Sequence, residues 1–378
     1  DQAERNNVEL DKLKRSLGDV AVSFGALKGV VHSSADNLKI TYDEAARLSG
    51  QFAKLANLSG DQYKTLGEEL STGVGLSRSL GLDPSAGVGL LGQMRGLGVT
   101  SNTQESRRFA LLIGETIGKS NAFAKAEEVF EAIGGYAGSQ TRNSMGAANV
   151  AGYAGMFSSM VGSGIPGLDP AGAAGLLSKI NSTLAAGGAK GEASQFFSGV
   201  VGHRMGLDPI QTQILREGGA FATNDEAFGE GSIASRFGIS GPGGNKTFLQ
   251  GSLDELRSQY GGNKGLLGQA TANHLGIGMR QAMALLSLDA NQMGEMQQYA
   301  GDLTKISGSG ITNLSKSLYG SAGDRRSLAD EYLGRRGDAA ISKEDRAALE
   351  GAKSDDELKR ALAGMAAKYD QERTTGSD

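Results

Sequence analysis

A glycine-rich run that ends in lysine and threonine, GPGGNKT at Gly241–Thr247, has the residue types that cradle phosphate groups. A nucleotide-binding loop requires Gly directly before its Lys and another Gly five residues earlier. Asn245 and Ser240 occupy those two places, and no hydrophobic strand precedes the run. The sequence therefore excludes nucleotide binding here and predicts a glycine-rich connection between helices.

The sequence gives little indication of a metal site or of cysteine chemistry. The three histidines, His32, His203 and His274, are far apart, and none has a partner at the spacing of metal ligands. There is no cysteine, which excludes disulfides, thiolate metal sites and cysteine nucleophiles. No nucleophile-elbow pattern is present. We expect neither a bound metal nor a cofactor.

The segment KGLLGQATANHLG at Lys264–Gly276 weakly resembles part of the lytic transglycosylases. These helical enzymes cleave peptidoglycan with a single Glu, followed by Ser, as general acid and base. The resemblance implies two candidate catalytic residues: Glu105, which precedes Ser106, and Glu255, which is nearer to the segment. Gly268 interrupts the motif, and a lone Glu at a helix start is most often a cap. An enzyme is therefore the less favoured hypothesis.

The elements that would position these residues are helices. Alternation of apolar and polar residues with a period of two is nearly absent, so we predict an all-α, glycine-rich array of short helices. Ser or Thr followed three residues later by Glu or Gln marks a helix start. The clearest such pairs are Thr41/Glu44, Ser59/Gln62, Ser101/Gln104, Thr223/Glu226, Ser252/Glu255 and Ser354/Glu357.

The tetrapeptide GLDP occurs three times, at Gly81–Pro84, Gly167–Pro170 and Gly206–Pro209. Gly suits the left-handed position that ends a helix. Asp is a good N-cap for the next helix, and Pro is favoured at the first helical position. We predict that each copy is a joint between two helices and not a binding motif.

The N-terminal stretch has apolar residues with alternating spacings of three and four, as in a coiled coil. One interpretation is an amphipathic helix packed on its own domain. The other is a coiled-coil-like helix over residues 1–40 that forms a homo-oligomer. The residues of this seam are Leu10, Leu13, Leu17, Val20, Phe24, Leu27 and Val31.

The stretch Asn143–Leu168 contains no charged residue and is long enough to span a bilayer, but it is rich in Gly, Ser and Asn. A stripe of small residues at helical spacing would let another backbone approach closely. We expect a buried central helix, and a conditional membrane segment is the alternative. The stripe consists of Ala148, Gly152, Gly155, Ser159 and Gly162.

Charge and composition bound the remaining possibilities. The formal net charge of −4 does not provide the positively charged surface that nucleic-acid binding requires, so we expect no sequence-specific binding of nucleic acid. A charge-dense C-terminal part predicts a charged helical hairpin with a disordered tail. Asp1 opens directly into a helical pattern, which favours a segment of a longer protein. The predicted domains are residues 1–40, 41–240, 241–320 and 321–378.

The stretch from Thr41 to about Phe228, and above all Ala46–Asn102, resembles bacteriophage tail tape-measure proteins. The shared traits are helices rich in Gly, Ala, Ser and Met, stripes of small residues and a neighbouring coiled-coil-like segment. The resemblance covers about half of the chain and includes no catalytic motif.

The resemblance implies a structural role in the virion: setting tail length during assembly in the host cytoplasm and leaving the tube before the genome. The implied partners are the tail tube and the baseplate or tip proteins, with possible contact to the inner membrane. Some members carry peptidoglycan-degrading modules, which is the second hypothesis, and a membrane-interacting helical module is the third.

Overall fold

A computed structural model describes residues 2–16, 23–58, 60–188, 191–300 and 306–371. Within these ranges the regular structure is helical, apart from one isolated β-bridge between Ile306 and Gln371. The prediction of an all-α fold is confirmed. The first eleven helices are α1 Gln2–Ser16, α2 Phe24–Leu38, α3 Tyr42–Leu55, α4 Leu66–Ser79, α5 Pro84–Gly96, α6 Thr103–Lys119, α7 Ala126–Asn143, α8 Val150–Gly162, α9 Pro170–Ala185, α10 Gly191–Arg204 and α11 Pro209–Glu217. The next ten are α12 Asn224–Phe228, α13 Ile233–Arg236, α14 Phe248–Tyr260, α15 Lys264–Leu275, α16 Met279–Leu286, α17 Glu295–Tyr299, α18 Gly308–Tyr319, α19 Ala322–Gly334, α20 Lys343–Glu350 and α21 Asp355–Tyr369.

The three GLDP copies share left-handed glycines, aspartate caps and prolines at helix starts. Their glycines have φ of 73°, 87° and 80°, in the left-handed region that favours glycine. The aspartates Asp83, Asp169 and Asp208 are the N-caps of α5, α9 and α11, and each side chain accepts a backbone N–H of the following turn. Each proline is the first residue of its helix. The prediction that the glycine ends the preceding helix is confirmed for Gly81 and Gly206 and is wrong for Gly167, because α8 already ends at Gly162.

Helix caps agree with the sequence at three of the predicted pairs. Thr41, Thr223 and Ser354 accept backbone N–H groups at the starts of α3, α12 and α21. Ser59 lies outside the described residues. The remaining two pairs were wrong, because another side chain caps the helix in each case.

In α6 the N-cap is Asn102, one residue after the predicted Ser101. In α14 the predicted pair Ser252/Glu255 lies inside the helix, which begins earlier with a capping box formed by Thr247 and Gln250. Several adjacent polar residues can satisfy a free N–H, and packing decides which of them does so.

The chain divides into two compact units. The first comprises residues 1–130 and 294–378, and the second comprises residues 131–293, so the second unit is an insertion in the sequence of the first. The predicted boundary at residues 240–241 falls inside the second unit. Sequence composition marked a glycine-rich loop there, but α14, which follows the loop, packs against α10, which precedes it.

In the first unit, α4 packs against α5 and α18 at backbone distance. A Cβ atom added to Gly73 would lie 2.9 Å from the amide nitrogen of Val88 in α5. A Cβ added to Gly75 would lie 3.0 Å from the Cα atom of Gly308 in α18. Glycine on both sides of each contact is therefore what permits this packing.

The seam residues of the N-terminal stretch do not lie on one continuous helix. Ser23 has extended backbone, and its side chain accepts the Ala26 N–H, so a new helix begins at Phe24. The predicted single helix over residues 1–40 was therefore wrong at Ser23, where a cap replaces the helical turn. Leu17 and Val20 lie outside the described residues.

The described seam residues are consistent with packing inside the chain. Leu10, Leu13, Leu27 and Val31 are at most 1% exposed, and Phe24 is half-buried. Helix α1 contacts α3, while α2 contacts α3 and α4. These burial values favour the interpretation of amphipathic helices packed on their own unit.

The charged C-terminal part contains three helices, α19 to α21, and not the two of the predicted hairpin. The short helix α20 was missed because its only buried residue is Leu349. The three helices share a hydrophobic cluster, so this part is not merely solvated. The cluster consists of Leu328, Ala329, Tyr332, Ile341, Leu349, Leu362 and Met365.

Candidate functional site

A cavity of about 340 Å³ in the second unit contains Glu255, one of the two candidate catalytic residues. Helices α10 and α14 form its walls, the first residue of α12 closes one side, and the glycine-rich run that resembles a phosphate loop forms another side. The lining residues are Val201, Arg204, Met205, Asn224, Gly243, Gly244, Lys246, Gly251, Asp254 and Glu255.

The glycine-rich run is held in place by α12. The N–H of Gly244 donates to the Asp225 carboxylate at 2.7 Å, and the N–H of Asp225 donates to the Gly244 carbonyl at 3.0 Å. Gly244 has φ of 145°, which only glycine adopts without strain. The run is therefore a connection between α13 and α14 that lines the cavity.

Glu255 is 3% exposed and serves as an acceptor. One of its oxygens lies 2.7 Å from Nε of Arg204, and the other accepts the Gln259 side-chain N–H at 2.7 Å. A general acid must carry a proton that it can donate to the leaving group. A carboxylate held by a guanidinium and an amide N–H is arranged to accept, so this geometry does not favour acid catalysis.

Glu105 is part of the N-terminal cap of α6. The N–H of Ser101 donates to its carboxylate at 2.6 Å, and the Ser101 hydroxyl donates at 2.8 Å. The backbone hydrogen bond from Ser101 is the main reason that the pKa of Glu105 is lowered. Its neighbour Ser106 is buried and donates to Glu69 at 3.2 Å. Glu105 is thus a structural cap residue.

The stripe of small residues on α8 packs against a loop instead of a second helix. The Ser159 hydroxyl donates to the Asp289 carbonyl at 2.5 Å, and the Asn291 N–H donates to the Gly155 carbonyl at 3.0 Å. Ala148 precedes the N-cap of α8, so it does not belong to the helical stripe. Gly152 faces its own cap residue, and Gly162 is exposed.

The membrane hypothesis for this stretch has no support in helix length. Helix α8 spans Val150–Gly162, which is shorter than a bilayer requires. Across the part of the chain that the structure describes, every helix is too short or too polar to be a membrane-spanning candidate.

The histidines do not converge. His32 lies 3.7 Å from Asp36 on the surface, and His203 is exposed. His274 is buried against the ring of Phe197, and burial lowers the pKa of His274 to about 4. Among the described residues, no three His, Asp or Glu side chains form a group that could hold a metal ion.

A buried ion pair in the first unit was not anticipated from the sequence. Glu69 in α4 is fully buried, and Arg95 in α5 lies 3.4 Å from it. Burial raises the pKa of Glu69, and Arg95 opposes that effect. Both residues are ordinary charged residues in helical sequence, and only the packing of α4 on α5 places them together.

Glu226 gives the second unit a pH-dependent stability. Burial raises the pKa of Glu226 to about 7, against a hydrogen bond from Thr223 and beside the charge of Asp225. The folded protein therefore holds this proton more tightly than the unfolded chain between about pH 4.5 and 7, and the free energy of unfolding falls as pH rises through that window.

We expect Glu226→Gln to be more stable than the wild type by about 2 kcal/mol above about pH 8, and the difference to vanish below about pH 4. Urea unfolding of both proteins across this pH range measures it. His274 has the opposite dependence, since stability is lost as pH falls through its lowered pKa, but it is common to both proteins. A difference that is constant with pH would contradict the assignment.

Comparison of the chain with protein-family models, curated proteins and solved structures found no match. The functional argument therefore rests on the residues and their geometry.

Proposed function

We propose that this chain is a structural helical module of a bacteriophage tail tape-measure protein. The observation that carries the proposal is that helices meet through glycine at backbone distance, as at Gly87 on Gly73 and at Gly308 on Gly75. Both candidate acids are held as structural groups, Glu105 as a cap and Glu255 in an ion pair. These features suit a protein that acts by packing and contact.

Other glycines weaken the helices without contributing to packing. Each glycine inside a helix costs about 0.5–1 kcal/mol relative to alanine. Helices of low intrinsic stability support the proposal of a protein that unfolds to leave a narrow tube. Helical glycines with no neighbour within 4 Å of an added Cβ include Gly25, Gly29, Gly50, Gly135, Gly175, Gly199 and Gly364.

The proposed location and partners of the chain follow from this structural role. The chain would lie in the virion tail, after assembly in the host cytoplasm, and contact the tail tube and the baseplate or tip proteins. Self-association through the N-terminal helices and contact with the inner membrane are parts of the proposal that need their own measurements, by light scattering and by liposome flotation.

The direct test is an in-frame deletion of residues 131–293, the second unit, from the phage gene. A protein that sets tail length should give shorter tails, by at most about 240 Å if all of the deleted residues were helical at 1.5 Å per residue. Electron microscopy of the particles measures this length. Normal-length tails, or particles from which the protein is absent by mass spectrometry, would refute the proposal.

A peptidoglycan-degrading module is the alternative function, and the buried Glu255 at a cavity is the observation in its favour. Zymography of the wild type beside Glu255→Gln and Glu105→Gln decides between the two. We expect no clearing of peptidoglycan by any of the three proteins. Clearing that is lost in only one variant would identify the catalytic carboxylate and establish the alternative.

A further inference from the structure

The cavity formed by α10, α12, α14 and the glycine-rich run contains a buried acceptor without a donor from the described part of the chain. Asn224 is 4% exposed, and its side-chain N–H donates to the Met205 carbonyl at 3.3 Å. That hydrogen bond fixes the amide and leaves Oδ1 with no protein partner. Buried polar atoms are almost always paired, so this oxygen is available to a donor from an ordered water or from a bound molecule.

The charges that line the cavity cancel. Arg204 is paired with Glu255 at 2.7 Å, and Lys246 is paired with Asp254 at 2.5 Å. Two cations and two carboxylates give a formal charge of zero for the lining. A neutral ligand is therefore preferred over an anion or a cation, because either charge would meet an equal number of unfavourable partners.

The polar groups of the cavity present donors and acceptors side by side. Arg204 and Lys246 can only donate, whereas the Oδ1 atom of Asn224 can only accept and the carboxyl oxygens of Glu255 and Asp254 offer further acceptors. A hydroxyl group both donates and accepts, so a ligand with several neighbouring hydroxyls satisfies both kinds of group at once.

The floor of the cavity is apolar and the volume is small. Val201, Met205 and Gly251 contribute to the lining, and a Cβ added to Gly251 would contact Met205 at 2.9 Å. A volume of about 340 Å³ is near the lower end of the roughly 300–1,000 Å³ found for ligand pockets. One ring with an apolar C–H face and a hydroxylated edge matches this shape and polarity.

We infer that this cavity is a binding site for a single neutral sugar ring. Asn224 and the two carboxylates accept hydrogen bonds from its hydroxyls, and Arg204 and Lys246 donate to them. The inference concerns binding alone: Glu255 Oε1 accepts from Gln259, while Oε2 is in an ion pair with Arg204 and has no hydrogen bond from the described residues. The ring is either a free monosaccharide or one unit of a longer glycan.

Isothermal titration of the full chain with a neutral hexose, an N-acetylated hexosamine and a uronic acid tests the inference. We expect at least one neutral sugar to bind with a millimolar or lower Kd, and the uronic acid to bind more weakly. A soluble oligosaccharide of the same sugar distinguishes the sources: binding as tight as that of the monosaccharide indicates a glycan unit, and exclusion indicates a free sugar.

Two variants test the site itself. Asn224→Ala should weaken binding roughly tenfold, and the surface variant Lys246→Ala roughly threefold. Lys264→Ala removes an exposed lysine that does not line the cavity and should leave binding unchanged. Circular dichroism checks folding, and Lys246→Ala keeps the test valid if Asn224→Ala fails to fold.

The inference would be overturned by the absence of binding for every neutral sugar at high millimolar concentration. It would equally be overturned by tighter binding of the uronic acid, or by binding that Lys246→Ala and Asn224→Ala leave unaltered. Tail length in the deletion experiment is independent of these outcomes, so the two proposals can fail separately.

Discussion

Replacing Gly87 by alanine is expected to lower the free energy of unfolding of the first unit by about 3 kcal/mol. The new Cβ would overlap the carbonyl oxygen of Gly73 and lie 2.5 Å from Oγ of Ser77. It would also strain the hydrogen bond from the Gly87 N–H to that Oγ, which is 2.7 Å long. Because the obstructing atoms include backbone, α4 and α5 must move apart.

The matched control is Gly364→Ala in α21. Nothing lies within 4 Å of a Cβ added at Gly364, which is also inside a helix of the first unit. We expect this change to stabilise the protein by about 0.5–1 kcal/mol, because alanine has the higher helix propensity. Thermal unfolding of the two variants should therefore shift in opposite directions.

Shifts of the same sign and size in both variants would show that helix propensity alone determines the effect. The close packing of α4 on α5 would then be incorrect. Gly308→Ala offers a second measurement, since its Cβ would overlap the backbone of α4 and lie 2.7 Å from the carbonyl carbon of Gly75.

Replacing Arg95 by methionine is expected to cost about 3–5 kcal/mol of folding free energy. The substitution leaves Glu69 fully buried, with the Ser106 hydroxyl as a hydrogen-bond donor and buried Arg107 as a weaker positive neighbour. Without Arg95, a carboxylate in this position must remain charged and poorly solvated or take up a proton. The loss should therefore be largest at neutral pH and should shrink as pH is lowered.

The double variant Glu69→Leu/Arg95→Met should recover most of the lost stability, because apolar residues of similar size often replace a buried ion pair at little cost. Arg108→Met, at an exposed position of α6, should change stability by less than about 0.5 kcal/mol. Guanidinium unfolding of all four proteins measures these differences. A double variant as unstable as Arg95→Met alone would show that burial of charge is not the cause.

Both predictions concern contacts made by α4, which packs against α2, α3, α5, α6 and α18 of the first unit. Two of these partners, α2 and α18, are far apart in the sequence. Substitutions in α4 should therefore affect the cooperativity of the whole first unit. Substitutions in the loop that seats on α8 should affect the second unit.

The local features of the helices could be predicted from the sequence. The GLDP joints at Gly81 and Gly206, the caps at Thr41, Thr223 and Ser354, and the all-α class each depend on residues within one or two helical turns. A cap hydroxyl, a left-handed glycine and a proline at the first helical position act on neighbouring backbone groups, so short sequence patterns determine them.

The features that only the tertiary structure determined involve residues that are distant along the chain. Three contacts show this: Glu69 pairs with Arg95, the loop at Asp289 packs on the stripe of α8, and α18 packs on α4. The partners in these contacts are about 26 to 230 residues apart in the sequence. No local pattern encodes such contacts, because they result from which apolar faces bury one another. For the same reason, the sequence indicated Glu255 as a helix cap, whereas packing placed it beside Arg204 at the cavity.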